Sequence, residues 1–165
     1  MNTLQSLYAQ KSWAHNELYN TLATVTAAEH AEAVHAAVRM LNHIHVVDCI
    51  FQAHLQGQPH GYQATNTDVT PDLGELQFSA SETDAWYERY VAQISSAQLG
   101  EPIHFQFTDG DSGTMSREEM LAHVLTHGAY HRGNVGQMLK SMAVAPPRDL
   151  YTKFLHVSEP ARRQA

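Results

Sequence analysis

Four times along this chain a Ser, Thr or Asn stands three residues ahead of a Glu or Gln, at the head of a long segment of helical character. The pairs are Asn2 and Gln5, Thr26 and Glu29, Ser79 and Glu82, and Ser116 and Glu119. Each has the form of a capping box, in which the first side chain accepts from a free first-turn N–H and the fourth reaches back. Behind them apolar residues recur every three to four positions, the period of one helix face. The pattern predicts helices over about residues 3–25, 28–56, 80–98 and 117–142. Leu4, Leu7, Ala14, Leu18, Leu22 and Val25 form the stripe of the first, and Trp86, Tyr90, Ile94 and Ala97 that of the third. Gly57 and Gly100 stand where the second and third should stop, and Pro146-Pro147 follows the fourth. Four such helices bury their apolar faces best against one another, so the expected fold is all-α, a four-helix bundle.

The connections are unequal. The polar stretch from Gln58 to Gly74 is long for a plain link and is expected to cross the bundle or carry function. Ile103 to Phe107 alternates apolar and polar and is followed by Asp109-Gly110-Asp111-Ser112-Gly113, which predicts a small β-hairpin between helices three and four. Asp149 to Leu155 suits a short C-terminal helix. The 165 residues fit one domain over 1–158, with 159–165 as a frayed tail.

Charge narrows the partners. Ten basic against 17 acidic residues give a net charge of -7, which opposes general nucleic-acid binding and docking on an anionic membrane. Arg132, Lys140, Arg148, Lys153, Arg162 and Arg163 are scattered in sequence, and the last two are expected to decorate a solvated tail. No apolar run approaches the roughly 20 residues that span a bilayer. The N-terminus lacks the basic start and apolar run of a signal peptide, and the single Cys49 leaves no intrachain disulfide to form. A cytoplasmic protein acting on a small molecule, with no nucleic-acid or membrane partner, is the expectation.

Twelve histidines are many for a chain this size. His127 and His131, four apart, lie one turn apart on one helix face, a spacing that lets two imidazoles hold one ion. With about 100° per residue, they share a sector with Met120, Val124 and Met138, the core-facing stripe of the fourth helix. A plain pair of buried histidines would each need its own partner, because an unsatisfied buried polar group costs about 1–3 kcal/mol. One shared cation satisfies both. On the second helix His43 sits amid Ala36, Met40, Val47 and Ile50 and is the expected third ligand. His45 points to the opposite side, toward solvent or a subunit contact. His54 lies about 16 Å further along the axis at 1.5 Å per residue, and His123 flanks the pair. Three imidazoles leave a coordination position open, the arrangement of catalytic rather than structural sites. Asp48, Asn16 and Asp149 are candidate acceptors for the ring N–H groups. Such a site suits one divalent transition metal, zinc or nickel first, iron or manganese also.

Met40-Leu41-Asn42-His43-Ile44 followed by Asp48, together with His123-Val124-Leu125-Thr126-His127 and His131-Arg132-Gly133-Asn134-Val135, resembles the DinB-like (DNA-damage-inducible) proteins. The resemblance covers nearly the whole chain. It implies an up-down-down-up bundle, often a homodimer, with a divalent metal held by His43, His127 and His131. Tyr130 stands where many members have another histidine, Cys49 where many have arginine, and Asp149 resembles an aspartate often found before the last segment. Characterised relatives include metal-dependent transferases and isomerases using low-molecular-weight thiols. The implied function is thiol activation for S-transfer. The alternatives are a metal-dependent hydrolase, with the ion activating water, and a non-catalytic bundle locked by its metal. Neither Cys49 nor any serine has the setting of a protein nucleophile.

Overall fold

The structure, a computed structural model, describes residues 2–163. Helices α1 (Thr3–Ala23), α2 (Ala31–Gln56), α3 (Leu73–Gln93) and the four-residue α4 (Ser96–Leu99) are followed by strands β1 (Pro102–Gln106) and β2 (Ser112–Ser116). Helices α5 (Arg117–Ser141) and α6 (Tyr151–Ser158) complete the chain, with 3-10 turns at Ala28–His30 and Pro160–Arg162. The four expected helices, the hairpin and the short last helix are all present. The hairpin is antiparallel and pairs Phe105 with Gly113, so that Phe105 is buried against Phe51. The segment expected to fray begins with the Pro160–Arg162 turn, while residues 164–165 lie outside the described residues.

Two of the four capping boxes form. Asn2 with Gln5 and Ser116 with Glu119 each bond reciprocally, at the starts of α1 and α5. The other two do not. α2 is entered through the 3-10 turn and has no side-chain cap. α3 begins seven residues before Ala80, at Leu73, where Asp72 accepts from the Gly74 and Glu75 N–H groups. The earlier start lets Leu73 and Leu76 pack with Leu18 and Leu22, and that burial outweighs the cap signal at Ser79. The stripe of α3 is accordingly Leu76, Ala80, Thr83, Asp84, Tyr87 and Val91, with Trp86 and Tyr90 half-buried beside it and Ala97 exposed. The chain breaks at Ile94, and a fifth box, Ser95 with Gln98, opens α4.

Two apolar clusters fix the helix directions. One gathers the C-terminal half of α1 (Leu18, Leu22), the start of α2 (Ala37, Val38), the start of α3 (Leu76, Ala80) and the end of α5 (Val135, Leu139). The other gathers the start of α1 (Tyr8), the end of α2 (Phe51, Leu55), the end of α3 (Tyr87, Val91) and the start of α5 (Met120, Val124). Thus α1 and α5 run one way and α2 and α3 the other, the up-down-down-up order. Consecutive parallel helices need a return crossing of about the helix length, which explains the long segment after Gly57. Gly57 ends α2 in the left-handed conformation (φ 66°), where a side chain would be strained. Among the described residues no helix is long and apolar enough to cross a membrane.

Candidate metal centre

Midway between the two clusters, α2 and α5 bring His43, His127 and His131 together. One ring nitrogen from each lies within 4.8 Å of the others, and all three residues are half-buried. The Nε2 atoms of His43 and His127 are 3.0 Å apart. The ring centroids stand 4.5–4.9 Å from one another. Among the described residues no carboxylate or thiol joins the group.

The hydrogen bonds around the rings set the tautomers. His43 Nδ1 lies 2.7 Å from the carbonyl oxygen of Thr65. A carbonyl only accepts, so Nδ1 carries the proton and Nε2 presents a lone pair inward. Thr65 belongs to the crossing segment, which is fastened along α2. Asn42 donates to Asn66 and to the Thr67 hydroxyl, and Asn66 donates to the Arg39 carbonyl. His131 Nδ1 accepts from the Asn134 side-chain NH2 at 3.3 Å, which leaves the ring proton on Nε2, where a bound ion would displace it. His127 Nδ1 is buried without a partner. Burial, then its neighbours His131, His43 and His123, push His127 down to about 3. Burial and His43 lower His131 as well. Imidazoles converging in one half-buried spot are the donor set that a divalent transition ion accepts, and the three residues fit such an ion.

The expected outer acceptors are elsewhere. Asn16 is exposed. Asp48 and Asp149 belong to an ionic network behind the histidines that is buried except at its exposed Asp149 end. Lys11, 1% exposed, is clamped between Asp48 at 2.7 Å and Asp84. His15 Nδ1 donates to Asp84 at 2.7 Å, Arg132 reaches His15 Nε2 at 3.4 Å, and Arg132 Nε donates to Asp149 at 2.7 Å. One network thus links α1, α2, α3, α5 and the segment before α6. Because Arg132 adjoins His131, it fixes the rotation of α5 that aims the histidines. Gly128 makes room for it, since a Cβ there would lie 3.1 Å from the Arg132 guanidinium.

The sequence pattern anticipates neither Thr65 and Asn134 nor Lys11, His15 and Asp84. A backbone carbonyl leaves no mark in a sequence, and Lys and Asp in helices ordinarily read as solvated. The one usable signal is Asn134, one turn after His131. His45 is not exposed. It is half-buried, 3.6 Å from the Cys49 sulfur, and burial lowers its pKa. Burial raises the Cys49 thiol. His54 packs against His60 and Phe105, outside the triad. His123 flanks it as expected, stacked between Phe51 and His127.

An up-down-down-up bundle with three histidines from two antiparallel helices at its middle defines a class of helical proteins with one position fit for a metal. A DinB family model matches residues 1–163, and the chain belongs to the DinB family. It is similar to the protein DinB of Bacillus subtilis strain 168, with 23% identity over 163 residues that cover 93% of this chain and 94% of that protein.

Proposed function

We propose that the protein is a metal-dependent enzyme that activates a small thiol for S-transfer, with His43, His127 and His131 holding one divalent transition ion. The observation that carries the reading is the unfinished donor set, three converging imidazole nitrogens with no fourth ligand among the described residues. A bound divalent ion supplies a Lewis acid that lowers the pKa of a thiol and favours the nucleophilic thiolate.

The protein's own residues prepare that position. The Thr65 carbonyl holds His43 in the tautomer with Nε2 inward, and the fastened crossing segment fixes the carbonyl. Arg132 orients α5. Tyr130, 70% exposed, lies edge-on to His131 at 5.0 Å and is the aromatic side chain a ligand from solvent would meet beside that ring. Cys49 is kept protonated by burial and faces Thr83 and His45, which supports a thiol that comes from solution rather than from the chain. The same reading takes the partner as a low-molecular-weight thiol and the working form as a cytoplasmic homodimer.

Elemental analysis of the purified protein tests it, with His43→Ala, His127→Ala and His131→Ala beside the wild type. The expected result is about one equivalent of a transition metal in the wild type and its loss in each variant, followed by a reaction that needs added thiol. A wild type that stays metal-free after reconstitution overturns the site. Full turnover without thiol overturns the S-transfer reading in favour of hydrolysis.

A further inference from the structure

The charge of the chain is unevenly divided along the sequence. Residues 140–165 hold five of the ten basic residues and two of the 17 acidic ones, so this end carries +3 while residues 1–139, with five basic and 15 acidic, carry -10. Both acids of the basic end are already engaged. Asp149 is held by Arg132, and Glu159 by Arg162 at 2.8 Å. Arg148, Lys153 and Arg163 take part in no ion pair among the described residues, yet all three line one open cavity of about 670 Å³ against α6. Arg163 is exposed, as expected of the tail, and Arg148, Lys153 and Arg163, apart in sequence, share this one surface.

Three cations with no ion-pair partner among the described residues repel one another across one space, and an anion entering it removes that repulsion. Lys153 is not a loose surface ammonium, since its Nζ sits 5.4 Å from the centre of the Trp13 ring. His156, whose Nδ1 donates to the Thr152 carbonyl at 2.7 Å, lines the same cavity. The wall is also apolar. Leu150 and Val157 line it and remain 51% and 56% exposed. Cations beside uncovered aliphatic side chains suit an anion that carries hydrocarbon.

We propose that this cavity binds a phosphate monoester with a short apolar portion, the phosphate between Arg148, Lys153 and Arg163 and the hydrocarbon against Leu150 and Val157. Guanidinium groups match phosphate oxygens in pairs, which a carboxylate of lower charge exploits less. The site is separate from the three histidines and stands whether or not they hold a metal.

Trp13 supplies the reporter. In a Trp86→Phe background its fluorescence is followed on titration with inorganic phosphate and with butyl phosphate, and amide shifts of the wild type map the contact. Saturable quenching is expected, with shifts confined to 148–163 and to Trp13, and butyl phosphate at least fivefold tighter than phosphate. The Arg148→Glu/Arg163→Glu double variant weakens binding at least tenfold, whereas Arg39→Glu/Arg89→Glu, at exposed positions elsewhere, leaves it within a factor of two. Leu150→Ser erases the preference for the alkyl ester. His127→Ala leaves the response intact; its loss there would put the anion at the histidines and overturn the assignment. Equal affinity in the double charge reversal overturns it too, as does binding to anionic phosphatidylglycerol vesicles without binding of soluble butyl phosphate, which would make the surface membrane-facing.

Discussion

The Nε2 atoms of His43 and His127, 84 residues apart in sequence and carried by antiparallel helices, face each other at 3.0 Å. His43 donates its Nδ1–H to the Thr65 carbonyl on the far side of the ring, so the nitrogen it turns inward offers a lone pair. Such a pair is held together by a shared proton or by a cation, and a cation there would also reach His131. Metal binding would therefore add to the stability of the fold. Because the apolar clusters are complete without an ion, the metal-free protein is expected to stay helical. Added metal at about 100 times its Kd contributes about 2.7 kcal/mol, a rise of several degrees in Tm for a chain this size. Differential scanning calorimetry with and without chelator checks this. His127→Ala should show no metal-dependent rise, and an unfolded chelated wild type would contradict the expectation.

The ionic network makes stability depend on pH. His15 and Lys11 beside Asp84 hold its carboxyl below the ordinary range despite burial, and burial lowers His15. A carboxyl depressed on folding stabilises above its unfolded pKa of about 3.9, and that contribution is lost as pH falls toward the folded value. A histidine lowered on folding binds its proton more readily when unfolded, so its cost begins as pH falls through about 6.5. Both act in one direction, and urea unfolding should show stability declining from pH 7 to pH 3. Lys11→Met leaves Asp48 and Asp84 buried without their ammonium, at a cost of about 3–5 kcal/mol near pH 7. In that variant protonation relieves the two carboxylates, so the gap to the wild type should narrow on acidification. A gap that stays constant or widens would show that Lys11 does not neutralise them.

How far the sequence could be read depended on what each feature uses. The bundle, its hairpin and the three histidines rest on periodicity and spacing, which are local and visible, and His43 could be paired with His127 and His131 because all three interrupt apolar stripes. The start of α3 was hidden because a good cap signal at Ser79 competed with the burial of Leu73 and Leu76, which only the neighbouring helix α1 reveals. Lys11 and His15 were hidden for a related reason. A helix heptad records a polar residue on the core side as an imperfection, and its partners Asp48 and Asp84 lie 37 and 73 residues away in number. The orienting carbonyl of Thr65 has no side-chain signature at all.

Two glycines in α5 should respond oppositely to alanine. A Cβ at Gly128 would meet the buried Arg132 guanidinium at 3.1 Å, with Ile44 at 3.9 Å and Lys11 at 4.0 Å beside it. Displacing Arg132 strains its bonds to His15 and Asp149, and overpacking of this kind costs about 1–3 kcal/mol. At Gly133, five residues on, a Cβ meets nothing within 4 Å, so Gly133→Ala should gain up to about 1 kcal/mol from helix propensity. Thermal unfolding of both variants is the check. Destabilisation by Gly133→Ala, or none by Gly128→Ala, would contradict the packing described for Arg132.

The end of α5 carries a strained residue whose relief can be measured. Ala143 has φ 58°, in the left-handed region, and no other non-glycine among the described residues has a positive φ. Its N–H bonds to the Lys140 carbonyl at 3.0 Å and that of Val144 to the Leu139 carbonyl at 2.9 Å, the two bonds of a Schellman motif. Val144 then folds back onto the cluster of Leu139 and Met142. The cap is thus satisfied in hydrogen bonds and packing but has an L-residue where glycine avoids a penalty of about 1–2 kcal/mol. Glycine adds freedom to the unfolded chain, which offsets part of the gain, so Ala143→Gly should stabilise by about 0.5–1 kcal/mol. Ala143→Val, β-branched at the same φ, should destabilise. Denaturant midpoints at unchanged m-value read both, and a glycine variant less stable than the wild type would show that Ala143 does not adopt the left-handed conformation in solution.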